Sequence, residues 1–234
     1  MDERLRPPWA PWEAIPVVVA AIAASTVASV ALVAGFGSPG GPALLLSAMA
    51  FQGALAVFTV AWVGVRYRGW VPALGLRAAR PEREVPLGAL LGGGLWVGLN
   101  LFVAPAVVLG WRAVTGRLPP TPNQLPGVDF GPVEMLIGVV LLVVVTPIAE
   151  ELFYRGLLFG SLWPRLGTGW AAVISAALFG ASHLAGGAVL VPILFVFGIV
   201  QALVFRWRRS LVAPIAAHGA FNLIALVRIV LERT

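Results

Sequence analysis

Apolar positions in this chain come in long unbroken runs rather than in a short alternation. Residues 14–36 and 43–65 each extend for 23 positions without a charge, and residues 85–111 for 27 more. Each run exceeds the roughly 20 residues with which an α-helix crosses a ~30 Å hydrocarbon core. A fourth run begins near Val133 and reaches about Leu162, interrupted by Glu150, Glu151 and Arg155. Residues 166–205 hold no Asp, Glu, Lys or Arg across 40 positions, too many for one crossing, and Gly186-Gly187 is the natural break. A last span runs from about Leu211 to Val230. The pattern predicts an all-α polytopic membrane protein of seven helices, or eight if a long segment hides a re-entrant piece.

Composition excludes the alternative of a water-soluble domain. Of 234 residues, 59% are apolar and 11% charged, with mean hydropathy +0.94. A soluble domain is about 25% charged. The net charge of +6 comes from sixteen basic residues, all arginine. Because these lie between apolar runs, they read as a topology signal and an attraction to anionic headgroups, not as a nucleic-acid surface. The absence of cysteine excludes disulfides, thiolate metal sites and a cysteine nucleophile.

Eleven arginines fall on one set of loops (Arg4, Arg6, Arg66, Arg68, Arg77, Arg80, Arg83, Arg165, Arg206, Arg208 and Arg209). The alternate set has four: Arg112, Arg117, Arg228 and Arg233. The positive-inside rule then predicts a cytoplasmic N-terminus. Trp9, Trp12, Trp70, Trp111, Trp163, Trp170 and Trp207 fall near span ends and are expected to act as interfacial anchors. The first span lacks a cleavage signature and is expected to be retained. An arginine-only, compact chain of this kind reads as an integral protein of a bacterial plasma membrane.

Ionisable side chains inside a membrane cost at least about 2.5–3.5 kcal/mol each on insertion scales, and so mark functional candidates. His183 and His218, the two histidines of the chain, both fall inside predicted spans, as do Glu150, Glu151 and Arg155. Asn222 shares the last span with His218. Asn100 and Gln201 stand alone in theirs and read as interhelical hydrogen bonds. In TPIAEELFYRG, Glu151 and Arg155 are four residues apart and can pair along one helix face. Glu150 lies about 100° away and is left free for chemistry. Pro147 removes a backbone donor just before it and should bend the helix, while Gly156 admits a close neighbour.

Phe179 and His183 in FGASH, and His218 and Asn222 in HGAFN, repeat the four-residue spacing. Small residues Gly180, Ala181 and Ser182 allow tight helix contact in the first of these segments. At 1.5 Å per residue, Glu150, His183, His218 and Asn222 lie ~18, ~22, ~12 and ~18 Å from helix ends on one predicted side. Four polar groups in one slab can converge on one buried site.

The motifs EELFYR, FGASH and HGAFN resemble the EExxxR, FxxxH and HxxxN signatures of the type II CAAX prenyl endopeptidase family, also called CPBP or Abi, over about residues 130–230. The resemblance implies variable leading helices over 1–130 (about three spans) and a catalytic core over 131–234 (about four). It implies an intramembrane endopeptidase acting on a membrane-associated peptide or protein. Glu150 would activate water held alongside it by His183. His218 and Asn222 would stabilise the oxyanion. Glu151 and Arg155 would hold the helix and orient Glu150, with Phe179 in support.

The chemistry is consistent with those roles. Amide hydrolysis by water needs a base matched to the working pH, and burial in low dielectric raises carboxylates toward it. Donors aimed at the developing negative charge stabilise the intermediate. The family is commonly labelled a metalloprotease, and Glu150, His183 and His218 could form a three-ligand site for Zn2+ or another divalent metal. Against this stand the absence of HExxH and the loss of the free base if Glu150 becomes a ligand. The metal-free, glutamate-based site is the reading preferred. The alternatives are an inactive scaffold or bacteriocin-immunity protein, and a transporter or proton pathway using the buried Glu and His.

Overall fold

The computed structural model describes residues 7–76, 80–122 and 131–232. Arg4, Arg6, Arg77 and Arg233, on which part of the orientation rests, lie outside these. Among the described residues there are helices and turns and no strand. Six helical stretches are long and apolar enough to cross a membrane. The fourth, Pro132–Ala181, is interrupted by Gly167, whose φ of 76° and ψ of 165° reverse the chain. Counting its two arms separately gives seven: α1 (Ala14–Phe36), α2 (Gly41–Arg66), α3 (Pro81–Thr115), α4 (132–166), α5 (168–181), α6 (Leu190–Arg208) and α7 (Val212–Leu231). The reversal folds α5 back on α4, where the Ser175 hydroxyl donates to the Tyr154 carbonyl at 2.9 Å. The protein is an integral membrane protein. Accordingly, large apolar side chains such as Val27, Leu90, Phe102 and Val114 stand exposed on its perimeter.

Small residues set the helix pairs. A Cβ on Gly88 or Gly92 would strike the backbone of Ala213 or Ala217, so α3 lies backbone-to-backbone against α7. Gly180 and Gly198 do the same between α5 and α6, against Val191 and Ala176. A Cβ on Gly156 would come within 2.8 Å of the carbonyl of Leu74, the close neighbour its sequence context predicts.

Pro147 perturbs its helix as expected, but by widening rather than by a simple bend. The π-helical stretch Val140–Val145 comes just before it, and Leu99–Val103 stands in the same relation to Pro105. Each proline lacks the N–H that would bond the carbonyl four residues back and crowds that carbonyl with its ring. The ladder therefore loosens over that turn. A third π-helical stretch, Glu151–Phe159, carries the EELFYR motif from its second glutamate onward.

Two expectations are corrected. His183 is not inside a span but in the turn after α5, next to the 3-10 turn Leu184–Gly186. Ser182 Oγ (2.8 Å) and His183 Nδ1 (2.8 Å) both take the Phe179 carbonyl, and Gly187 follows at φ 132°, so the helix stops there. The 14 residues of α5 rise only ~21 Å, and the turn stays within the depth of a ~30 Å hydrocarbon layer. Trp9, in turn, is no interfacial anchor. It is fully buried, and its indole donates to the carbonyl of Leu157 at 2.9 Å, inside the third π-helical stretch. Trp12, Trp170 and Trp207 are exposed, as anchors would be.

Candidate active site

The two adjacent glutamates sit where the short α-turn Thr146–Glu150 passes into the π-helical stretch. Consecutive positions on a helix face different directions, and the two carboxylates meet different surroundings. Glu151 is fully buried among protein partners. Its Oε1 lies 3.1 Å from Arg155 Nη1, 2.9 Å from His218 Nδ1 and 3.4 Å from Gln201 Nε2. The Arg155 guanidinium, itself fully buried, stacks over the Phe179 ring at 4.6 Å and reaches the Gly198 carbonyl at 3.4 Å. The Glu151–Arg155 pairing read from the spacing is thus present.

Glu150 faces the other way. Its Oε1 accepts from Gln52 Nε2 of α2 at 2.9 Å. Its Oε2 has no hydrogen-bond partner among the described residues and faces His218 Nε2 across 3.8 Å. His218 therefore stands between the two carboxylates, one ring nitrogen toward each. Phe179 and Phe197 hold the imidazole edge-on, at centroid separations of 5.9 and 5.0 Å. A carboxylate already paired with arginine is an acceptor, which places a proton on His218 Nδ1 and aims Nε2 at Glu150.

His183 and Asn222 line the same cavity as Glu150 and His218. The His183 ring packs on Phe179 at 4.9 Å. Because Nδ1 bonds a carbonyl, it carries the proton and leaves Nε2 as the free nitrogen. Asn222 Nδ2 donates one hydrogen to the Leu142 carbonyl at 2.9 Å, keeping a second. Leu142 belongs to the π-helical turn before Pro147. A Cβ on Gly219 would come within 2.6 Å of the neighbouring Val143 carbonyl, the one Pro147 leaves without its N–H donor. HGAFN thus fits onto the distortion made by Pro147.

The cavity has a volume of about 960 Å³. Apart from the site residues its walls are mostly apolar, including Phe51, Leu141, Phe153, Leu194 and Phe221. Among the described residues no group of three or more His, Cys, Asp or Glu is placed to hold a metal ion. The set Glu150, His183, His218 does not make one, and no step below is routed through a metal.

Gln52 was not singled out in the sequence. It is a lone amide in the charge-free run 43–65, and the rule that flagged Asn100 and Gln201 would have found it. Gln201 makes the interhelical bond expected of it, to the Pro214 carbonyl at 2.8 Å, and reaches Glu151 as well. Asn100 is remote from the site and accepts from Arg228 of α7 at 3.2 Å.

Residues 132–224 match the family model described as Type II CAAX prenyl endopeptidase Rce1-like. The matched segment contains all three motifs, so the resemblance they carry is shown for this part of the chain. No curated protein and no solved structure matches. Gln52 lies outside the matched segment yet touches its first motif.

Proposed function

We propose that this Rce1-like membrane protein is an intramembrane endopeptidase in which Glu150 is the general base for attack of water on a peptide bond. The observation that carries the reading is the free Glu150 Oε2 beside His218 Nε2, at the wall of a cavity large enough for an extended peptide. A separation of 3.8 Å is too long for a direct bond and is readily bridged by one water.

In this reading Glu150 Oε2 takes a proton from the water as its oxygen bonds the carbonyl carbon, and His183 Nε2 helps to hold that water. The carbonyl oxygen becomes an oxyanion. The second Asn222 amide hydrogen and a proton on His218 Nε2 donate to it. The Glu151 carboxylate at Nδ1 fixes the ring, as a buried carboxylate does for a catalytic histidine elsewhere. When the C–N bond breaks, Glu150 returns its proton to the leaving amine. Gln52 holds Glu150 from the other side and leaves Oε2 alone available. Glu151 and Arg155 position this apparatus without touching the peptide.

Comparison of membrane peptides from cells expressing the wild-type chain and Glu150→Gln tests the reading. The expected result is a set of fragments present only with the wild type; identical peptide profiles would sink it. Dialysis of the purified protein against a chelator, with metal content and cleavage of one such fragment's precursor measured together, is expected to leave cleavage intact.

A further inference from the structure

The two faces of the bundle can be told apart by direct contacts. Arg208 at the end of α6 pairs with Glu84 at the start of α3, and its Nε lies 3.0 Å from that carboxylate. Arg66 at the end of α2 pairs with Glu13 before α1 at 3.3 Å. Arg206 stacks over Trp163 near the end of α4 at 4.6 Å. These ends form one arginine-rich face. The opposite face brings the start of α2 beside that of α4, where a Cβ on Gly41 would lie 3.8 Å from Glu134. It also brings the turn after α5 beside the loop after α3, where a Cβ on Gly187 would lie 3.5 Å from Pro122.

Among the described residues the cavity has its mouth at the second face, with its lining running as deep as Val18 of α1. From Glu150 its lining continues outward to His183, Leu190, Thr121, Pro122 and Glu232 at the ends of α5, α6, α3 and α7. Toward the arginine-rich face it is closed. Glu151, Arg155 and Gln201 form a fully buried layer, and behind it lie Phe159, Leu74 and Trp9, each without exposed surface. A dimple of about 50 Å³ on that face, beside Arg206 and Arg209, shares no lining residue with the cavity.

We infer that the site opens to the non-cytoplasmic side, and that its substrate is a membrane-anchored peptide whose cleaved bond lies in the outer half of the bilayer or just beyond it. The arginine bias of short loops places the closed face in the cytoplasm. A peptide segment on the far side then has the mouth at Thr121 and His183 as its way in. A cytoplasmic segment meets the sealed layer. The substrate part of this inference rests on the protease reading above; the orientation part does not.

The natural chain has no cysteine, so single cysteines report sidedness directly. Thr121→Cys marks the mouth and Arg68→Cys the opposite face; both positions are exposed. In spheroplasts of expressing cells, a charged, membrane-impermeant maleimide is expected to label T121C at once and R68C only after permeabilisation. The reverse pattern, or labelling of both in sealed spheroplasts, overturns the inference. In the same spheroplasts, fragments that depend on Glu150 are expected in the external medium and outer leaflet; their confinement to the cytoplasmic fraction overturns it as well. Correct labelling with no Glu150-dependent fragment overturns the protease reading and the substrate class together, and leaves the orientation standing.

Discussion

Glu150 and Glu151 are neighbours in sequence and stand at one depth, but they belong to two regions that meet buried charge in different ways. Below lies a closed layer in which the Glu151 carboxylate meets the Arg155 guanidinium and the Gln201 amide. Glu151 Oε2, Arg155 Nε and Gln201 Oε1 stay without a hydrogen-bond partner among the described residues. Above lies a chamber at whose wall Glu150 and His218 each use one polar atom on the protein, their other polar atoms facing each other across 3.8 Å. Buried charge is tolerated in the first region because it is neutralised in place. In the second it is held ready by the first, since His218 is oriented by the carboxylate that Arg155 fixes. Ionisable groups within a membrane therefore need sorting by whether their charge is neutralised in place or stands at the wall of a cavity.

The comparison breaks most clearly under substitutions that separate activity from stability. Glu150→Gln is expected to lower kcat/KM by about 10²–10⁴-fold, the range of general base catalysis, with an unchanged thermal midpoint in detergent. Arg155→Met leaves Glu151 buried without its cation and should cost about 3–5 kcal/mol of stability, read by thermal or chaotrope unfolding. Adding Glu151→Leu to it should recover most of that loss without restoring cleavage, because His218 stays unanchored. Asn222→Ala is expected to reduce kcat by about 10²-fold, the lower range for loss of an oxyanion donor. The accompanying destabilisation should be only about 1 kcal/mol, the scale of one interhelical hydrogen bond. Gln52→Leu should have the smallest effect, about tenfold on kcat, or ~1.4 kcal/mol in the barrier. A drop in stability in place of the drop in rate would move Gln52 into the structural layer.

Much of this arrangement is legible in the chain because a membrane makes polar residues conspicuous. The spans, the Glu151–Arg155 pair and the close approach at Gly156 follow from runs, spacing and size alone. His183 was misplaced because four-residue spacing implies a helix but cannot show that Ser182 and His183 will compete for the Phe179 carbonyl and end it. Trp9 was misplaced because a tryptophan at a span end looks the same in sequence whether its indole meets headgroups or the Leu157 carbonyl. Gln52 was missed for a third reason. As a lone amide in a charge-free run it is as conspicuous as Asn100 and Gln201, but its partner Glu150 is 98 residues away and no local pattern names it.

The widened turn before Pro147 has a consequence for how these sequences can change. Its carbonyls at Leu142 and Val143 face α7, one capped by Asn222 and the other pressed against Gly219. Replacing Pro147 with alanine would supply an N–H that reclaims the Val143 carbonyl for the helix, and the turn would tighten away from both partners. Positions 147, 219 and 222 should therefore be inherited as a set. In a library randomised at all three, the active survivors are expected to retain the proline together with the glycine and the asparagine.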